Sequence, residues 1–176
     1  MNVTQLLPKG MYHDQIITAQ GRVIDLGWHS NIVVDRCRNL LAGFMKGDPG
    51  VSRGIQLLLV GKGLESWDII PPPSPLQTDQ QLTDPNPITI SIDTEQIEYL
   101  DDAGVPAAGP TPRIQVAVTL GPGTPPVEGG ETTYPLREFG LFGIFQEVEY
   151  MIDYVRHPVI RKQAGDTLVR TIRLVF

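Results

Sequence analysis

Thr167-Leu168-Val169-Arg170-Thr171-Ile172-Arg173-Leu174-Val175-Phe176 is the stretch that decides how this chain folds. Successive side chains of a strand point to opposite faces. Leu168, Ile172, Leu174 and Phe176 therefore share one face with Arg170 among them, while Thr167, Val169, Thr171, Arg173 and Val175 take the other. The pattern predicts a core strand inside the chain's own sheet, so losing it should cost core and ladder together. Two more stretches alternate in the same way. Ile88, Ile90 and Ile92 are interleaved with Thr89 and Ser91, and Ile114, Val116, Val118 and Leu120 with Gln115, Ala117 and Thr119. Such alternation belongs to half-buried antiparallel strands. Residues 15–19 and 22–26, separated by Gln20-Gly21, are expected to form a hairpin or a bent strand.

One segment has helical spacing instead. From Asp35, the apolar residues Cys37, Leu40, Leu41 and Phe44 recur at intervals of three and four, with Arg36, Arg38, Asn39 and Lys46 between them. Asp35 suits the start as a cap, and Lys46 with Gly47 suits the end. A helix this short is marginal alone, so packing on the sheet must hold it. The expected fold class is α+β: a mainly antiparallel sheet with one substantial helix and long Pro/Gly-rich loops.

At 176 residues and 41% hydrophobic content the chain can bury one core, which predicts a single structural domain over 1–176. Thirteen of the 16 prolines fall between residues 71 and 135, beginning with Pro71-Pro72-Pro73-Ser74-Pro75. Proline removes a ladder donor and fixes φ, so this span reads as an acidic elaboration broken by loops, with two strands inside it. Outside those strands it has few apolar side chains. It is therefore expected to be ordered mainly by contact with neighbouring subunits, because fixing each backbone residue costs about 1–2 kcal/mol. Trp67, beside the proline run, is expected to be exposed.

Charge is partitioned along the chain. Residues 54–153 hold 15 acidic and 3 basic side chains, against 5 acidic and 11 basic in the flanks, for a net charge of −6. A nucleic-acid-binding domain would show a dominant basic face, so no nucleic-acid partner is expected. Complementary patches instead suit a protein that meets copies of itself or neighbours in a fixed orientation. The single Cys37 can form no internal disulfide and reads as a small buried apolar group. No apolar run approaches the roughly 20 residues of a membrane span, and residues 1–10 lack a leader pattern. A soluble protein assembled in the cytoplasm, without direct membrane insertion, is the expectation.

The residues that could carry chemistry do not converge in sequence. Gly50-Val51-Ser52-Arg53-Gly54 matches the G-x-S-x-G elbow, but an elbow needs a strand before the serine and a helix after it, and here a turn precedes and a strand follows. Gly61-Lys62-Gly63 has Ser66 where a dinucleotide fingerprint needs glycine, and reads as a strand-ending turn. His13, His29 and His157 are scattered without zinc spacing. His157-Pro158 reads as an extended turn between strands, with packing rather than chemistry as its role. Asp101-Asp102 and the Glu147/Glu149 pair lack the spaced oxygen-rich loop that calcium needs. Trp28, Trp67, Tyr99 and Tyr134 are not interleaved with basic residues as a stacking platform would be. No enzyme activity, catalytic residue, cofactor or metal is therefore expected.

Four short motifs, in order, carry a resemblance. Asn31-Ile32-Val33-Val34-Asp35 runs into Arg36-Cys37-Arg38-Asn39-Leu40-Leu41-Ala42-Gly43-Phe44-Met45; Ile55-Gln56-Leu57-Leu58-Leu59-Val60-Gly61-Lys62-Gly63 follows; then Leu136-Arg137-Glu138-Phe139-Gly140-Leu141-Phe142; then Val155-Arg156-His157-Pro158-Val159-Ile160-Arg161-Lys162 with Asp166-Thr167-Leu168. Together they resemble small structural proteins of bacteriophage tails and related contractile injection systems. Leu57-Leu58-Leu59 is more continuously apolar than that family's strand, and the span between the second and third motifs is long and proline-rich. The resemblance implies a non-enzymatic adaptor at the baseplate, fibre attachment or tail end. Its expected partners are copies of itself, as a trimer or six-fold ring, and other tail or baseplate proteins. It would be made in the bacterial cytoplasm and end in a virion tail or injection particle. The alternative from another class is a receptor- or glycan-binding module of a tail fibre, which should display an exposed aromatic cluster.

Overall fold

A computed structural model describes residues 8–46 and 51–176. Among the described residues nine strands follow in sequence: β1 (Lys9–Ile17), β2 (Val23–Val33), β3 (Val51–Gly61), β4 (Ile88–Ser91), β5 (Ile97–Tyr99), β6 (Arg113–Leu120), β7 (Thr133–Phe145), β8 (Val148–Gln163) and β9 (Thr167–Val175). The helix α1 (Asp35–Lys46) lies between β2 and β3, and 3₁₀ turns occupy Glu65–Asp68 and Thr94–Gln96. All strand pairs are antiparallel, in the order β4-β3-β7-β8-β2-β1-β9-β6-β5. The fold is thus mainly antiparallel sheet with one long helix, as the alternation and the helical spacing require.

The β8–β2 contact is a seam of only two ladder pairs, Ile32↔Tyr154 and Val33↔Asp153. Along it the sheet folds over, and the inner faces of its two halves share one apolar core. Val116, Val118, Leu120, Leu168, Ile172 and Leu174 come from one half, and Leu58, Val60, Leu136, Phe139 and Leu141 from the other. Tyr12 meets Phe139 edge-on across that core, with ring centroids 5.1 Å apart. A second cluster lies on the far side of β3, β7 and β8: Val34, Leu59, Leu82, Phe142, Met151 and Tyr154. Strands between two cores must be apolar on both faces. This explains the continuous Leu57-Leu58-Leu59 run, in which Leu58 serves the first core while Leu57 and Leu59 serve the second. Gly140 lies between them because a Cβ there would stand 2.9 Å from the Asp153 carbonyl and 3.2 Å from Leu82.

Several expectations need correction. The hairpin at Gln20-Gly21 exists, but its strands run from Lys9 and to Val33, so Trp28 and His29 are strand residues. The 71–135 span contains three complete strands, not two, because Ile97–Tyr99 adds an edge strand on β6. His157-Pro158 is not a turn between strands: it lies inside β8, at a register break opposite β7 residues Leu136 and Glu138. A bulge is where a strand tolerates proline. On β9, Leu168, Arg170, Ile172 and Leu174 are buried as predicted, but Phe176 lies beyond the strand and is 44% exposed. Its N–H bonds to the Pro112 carbonyl at 2.9 Å, one step beyond the Arg113↔Val175 pair.

Candidate functional site

The polar side chains that the fold buries are engaged in holding the molecule together. Asp14 and Arg170 are register partners on β1 and β9, and both are fully buried. Arg170 Nε and Nη2 donate to the two Asp14 oxygens at 2.7 and 2.5 Å. The guanidinium lies 3.7 Å from the Phe139 ring centre, and Nη2 is 3.3 Å from His157 Nε2. The pair therefore reaches from one half of the sheet to the other. Burial, then the neighbouring Arg170 charge, pushes the His157 imidazole down to about 4, so it is neutral at physiological pH. His157 is thus a packing residue between Tyr12 and Phe139.

At the seam, Asp153 is wholly buried and accepts from the Leu141 N–H at 2.8 Å and from the Asn31 amide at 2.5 Å. Burial raises its carboxyl to about 7. Glu138, also fully buried, tethers the proline-rich loop. It accepts the Thr83 N–H at 3.0 Å, the Asp84 N–H at 2.6 Å and the Tyr154 hydroxyl. Further along that loop, Asp35 donates its N–H to the Gln77 carbonyl at 2.8 Å, and Arg156 reaches Asp79 at 3.3 Å. Lys162 Nζ bonds the Gly121 carbonyl at 2.9 Å. These anchors are internal to the chain and hold the span at residues 77–84 and at Gly121. A buried acceptor that gathers several backbone N–H groups holds a loop that has few apolar side chains of its own.

The loop that follows β3 is built differently at its tip. Gly63 takes a left-handed φ of +54°, and a Cβ there would fall 2.5 Å from the Trp67 ring. Trp67 folds back onto this corner and is only 7% exposed, which corrects the expectation of an exposed contact residue. The Arg156 guanidinium lies 5.6 Å from its ring centre. Next to it, Asp68 receives Arg137 at 2.6 and 3.0 Å and Arg161 at 2.7 Å. The Arg137 hydrogen bonds hold the Asp68 carboxyl below its ordinary range. What this base presents outward is Ile69, 87% exposed, and Ile70, 66% exposed, with Leu64 and Leu76 also largely exposed. Two adjacent β-branched residues ahead of a proline triplet were the available signal; neither alternation nor helical spacing marks them as core.

At the other end of β3 and β7 an apolar recess of about 420 Å³ opens between α1 and the short edge strand β5. Leu40, Leu41, Ile55, Ile97, Tyr99, Ile114, and Phe176 are among the described residues that line it, and Cys37 and Ile152 form buried parts of its wall. Burial raises the Cys37 thiol to about 11. Leu41, expected within a packed helical stripe, is 40% exposed at this recess. Phe44 and Ser52 have side chains outside the described set, although Ser52 falls inside β3 rather than at a strand-to-helix elbow.

The remaining candidates are local structure. Asp101 Oδ1 accepts the Ala103 and Val105 N–H groups at 2.9 Å each, closing a turn, and Asp102 pairs with Arg113. His13 bonds Asp25 at 2.8 Å and stacks on Trp28. His29 bonds the Leu26 carbonyl at 2.8 Å. Among the described residues, no three His, Cys, Asp or Glu side chains converge as a metal site needs, and no helix is long and apolar enough to cross a membrane. The chain matches no protein-family model, no curated protein and no solved structure.

Proposed function

We propose that this chain is a non-enzymatic structural subunit of a phage tail or phage-tail-like contractile injection system, an adaptor at the baseplate, fibre attachment or tail end. The observation that carries the reading is spatial. The main stretches of the four motifs, far apart in sequence, occupy neighbouring strands in the order β3-β7-β8-β2, with α1 leaving directly from β2 and the Asp166-Thr167-Leu168 tail of the fourth opening β9. They form one connected framework rather than four isolated likenesses. Their polar members have scaffold roles that support it: Glu138 tethers a loop, Arg137 and Arg161 clamp another, and Asn31 spans the seam. The exposed isoleucines supply what an assembly part needs, because apolar surface presented on a rigid base is contact surface.

The test is composition. Particles purified from a host expressing a tagged copy of this chain should contain it in fixed ratio to tube and sheath proteins. If the protein accumulates but stays out of such particles, the adaptor role is wrong.

A further inference from the structure

We propose that the β2–β8 seam is a proton-operated latch, shut while Asp153 carries a proton and loosened when that proton leaves, so that the two halves of the sheet part there while the rest of the fold stays closed. The inference concerns the fold itself and holds whether or not the chain is a tail subunit.

The seam is the thinnest join in the sheet. β2 and β8 share two ladder pairs, against nine for β1 and β9. To these the Val34 N–H adds a bond to the Ile152 carbonyl at 3.0 Å. Parting them would leave β2 paired with β1 alone and β8 with β7 alone. Further along, the Asp14–Arg170 pair, which reaches Phe139 and His157, would still hold the halves together.

Asp153 stands in the join itself. It is the register partner of Val33, and its side chain takes the Asn31 amide of β2 and the Leu141 N–H of β7. A Cβ at Gly10 would overlap the Asn31 amide, so Asn31 is wedged against β1, and its bond to Asp153 links the β1–β2 hairpin to β7 and β8. Both donors are neutral. Asp14, equally buried, has an arginine; among the described residues no arginine or lysine pairs with Asp153. The charged and titratable groups around it do not make up the difference. From β9, Arg170 favours the ionised form, but its charge is already matched by Asp14. From α1 comes the Cys37 thiol, which burial and then Asp153 keep neutral, while Arg38 beside it is engaged with Asp35 at 3.5 Å. His157, four residues along β8, is neutral above about pH 4. Glu138 of β7 is turned to the far side of the sheet, where it meets the Tyr154 hydroxyl.

A buried carboxylate without a countercharge is unfavourable, and parting the seam lets water reach it. Ionisation of Asp153 therefore loads the one join that has fewest bonds to resist. Because burial raises this carboxyl to about 7, the event falls near neutrality rather than in acid.

Amide exchange on the full chain, followed by NMR between about pH 4.5 and 6.5 with each rate taken relative to an unstructured chain at the same pH, tests the latch. The Val34 N–H reports the seam, and β9, paired on both sides, reports the whole fold. The carboxyl titrates at about 7 when shut and at 3.8 once open to water, so rising pH favours the open form. Protection of Val34 should fall on the order of tenfold per pH unit, and β9 should not follow. Asp153→Asn keeps the shape and cannot ionise, so Val34 protection in that variant should stay level, with a melting curve to verify its fold. Carbon NMR of the Asp153 carboxyl in wild type needs no variant and should show titration near neutrality. Level Val34 protection in wild type, a fall in β9 in step with Val34, an equal fall in a folded Asp153→Asn variant, or a carboxyl that titrates in the ordinary range would each overturn the latch.

Discussion

The molecule uses one chemical device at two depths. Asp14–Arg170 and Asp68–Arg137 are both two-pronged carboxylate–guanidinium pairs, yet the first is fully buried and the second lies at the rim, where Asp68 keeps 22% of its side-chain surface in water and takes a second arginine, Arg161, that is 56% exposed. Inside, the pair binds two halves of a sheet that share a seam of two ladder pairs. At the rim, the triad orients a loop. Depth sets the energetics: desolvation of the inner pair nearly offsets its Coulomb attraction, so its effect is specificity of packing, and removing one partner leaves a charge stranded. The outer triad stays partly solvated, and breaking its exposed arm strands nothing.

The sharpest break would be Arg170→Ala. It should destabilise the fold by about 3–5 kcal/mol in denaturant titration, the cost of an unpaired buried carboxylate. The double change Asp14→Leu with Arg170→Met should recover most of that loss. A single variant that unfolds at the wild-type midpoint would show that the inner pair does not join the halves.

A smaller effect separates the inner charges by pH. Asp153 has its carboxyl raised to about 7, so the folded state holds its proton more tightly than the unfolded chain does; the stability this gives is complete below the unfolded value of 3.8 and is lost as pH rises through about 7. His157, lowered to about 4, acts in the opposite sense: its contribution is present above 6.5 and is lost as pH falls through about 4. Because the two largely offset each other between pH 4 and 6.5, Asp153→Asn should leave the His157 contribution unopposed and tilt the pH dependence of stability upward relative to wild type, by about 2–4 kcal/mol across pH 4 to 8. An equal pH slope in variant and wild type would place the titrating group elsewhere.

The least effect belongs to the rim. Arg161→Ala should change stability by no more than about 1 kcal/mol. Its signature is local: amide exchange at Asp68–Ile70 should quicken while β9 stays protected. Equal acceleration in β9 would mean that rim and interior form one cooperative unit.

What could be read from the sequence divides along the same line. The alternation of β9 put Leu168, Ile172 and Leu174 in the core and Arg170 among them, because a period of two is local. Arg170's partner is 156 residues away, and no pattern in either strand announces that Asp14 faces it. The helix was legible from Asp35 to Lys46, but the exposure of Leu41 depends on a recess formed with β5, a three-residue strand too short to show alternation. Trp67 was misread because a single left-handed glycine, Gly63, reverses the chain and tucks the ring away. The internal anchors of the proline-rich span were hidden for a similar reason. Glu138 sits in a strand among Leu136, Phe139, Leu141 and Phe142, where an acidic residue gives no hint that it collects two amides from more than fifty positions upstream.

One feature of the ladder bears on force. β1 and β9 are paired in register from Lys9↔Val175 to Ile17↔Thr167, so the outer ends of both strands lie side by side. Tension applied between Lys9 and Val175 would pull the strands apart from that end, one rung after another, rather than loading all rungs at once as shear would. Whatever this protein joins, a pull delivered through both of those strand ends would peel it open, whereas a pull between Lys9 and Thr167, at opposite ends of the same ladder, would load all nine rungs together.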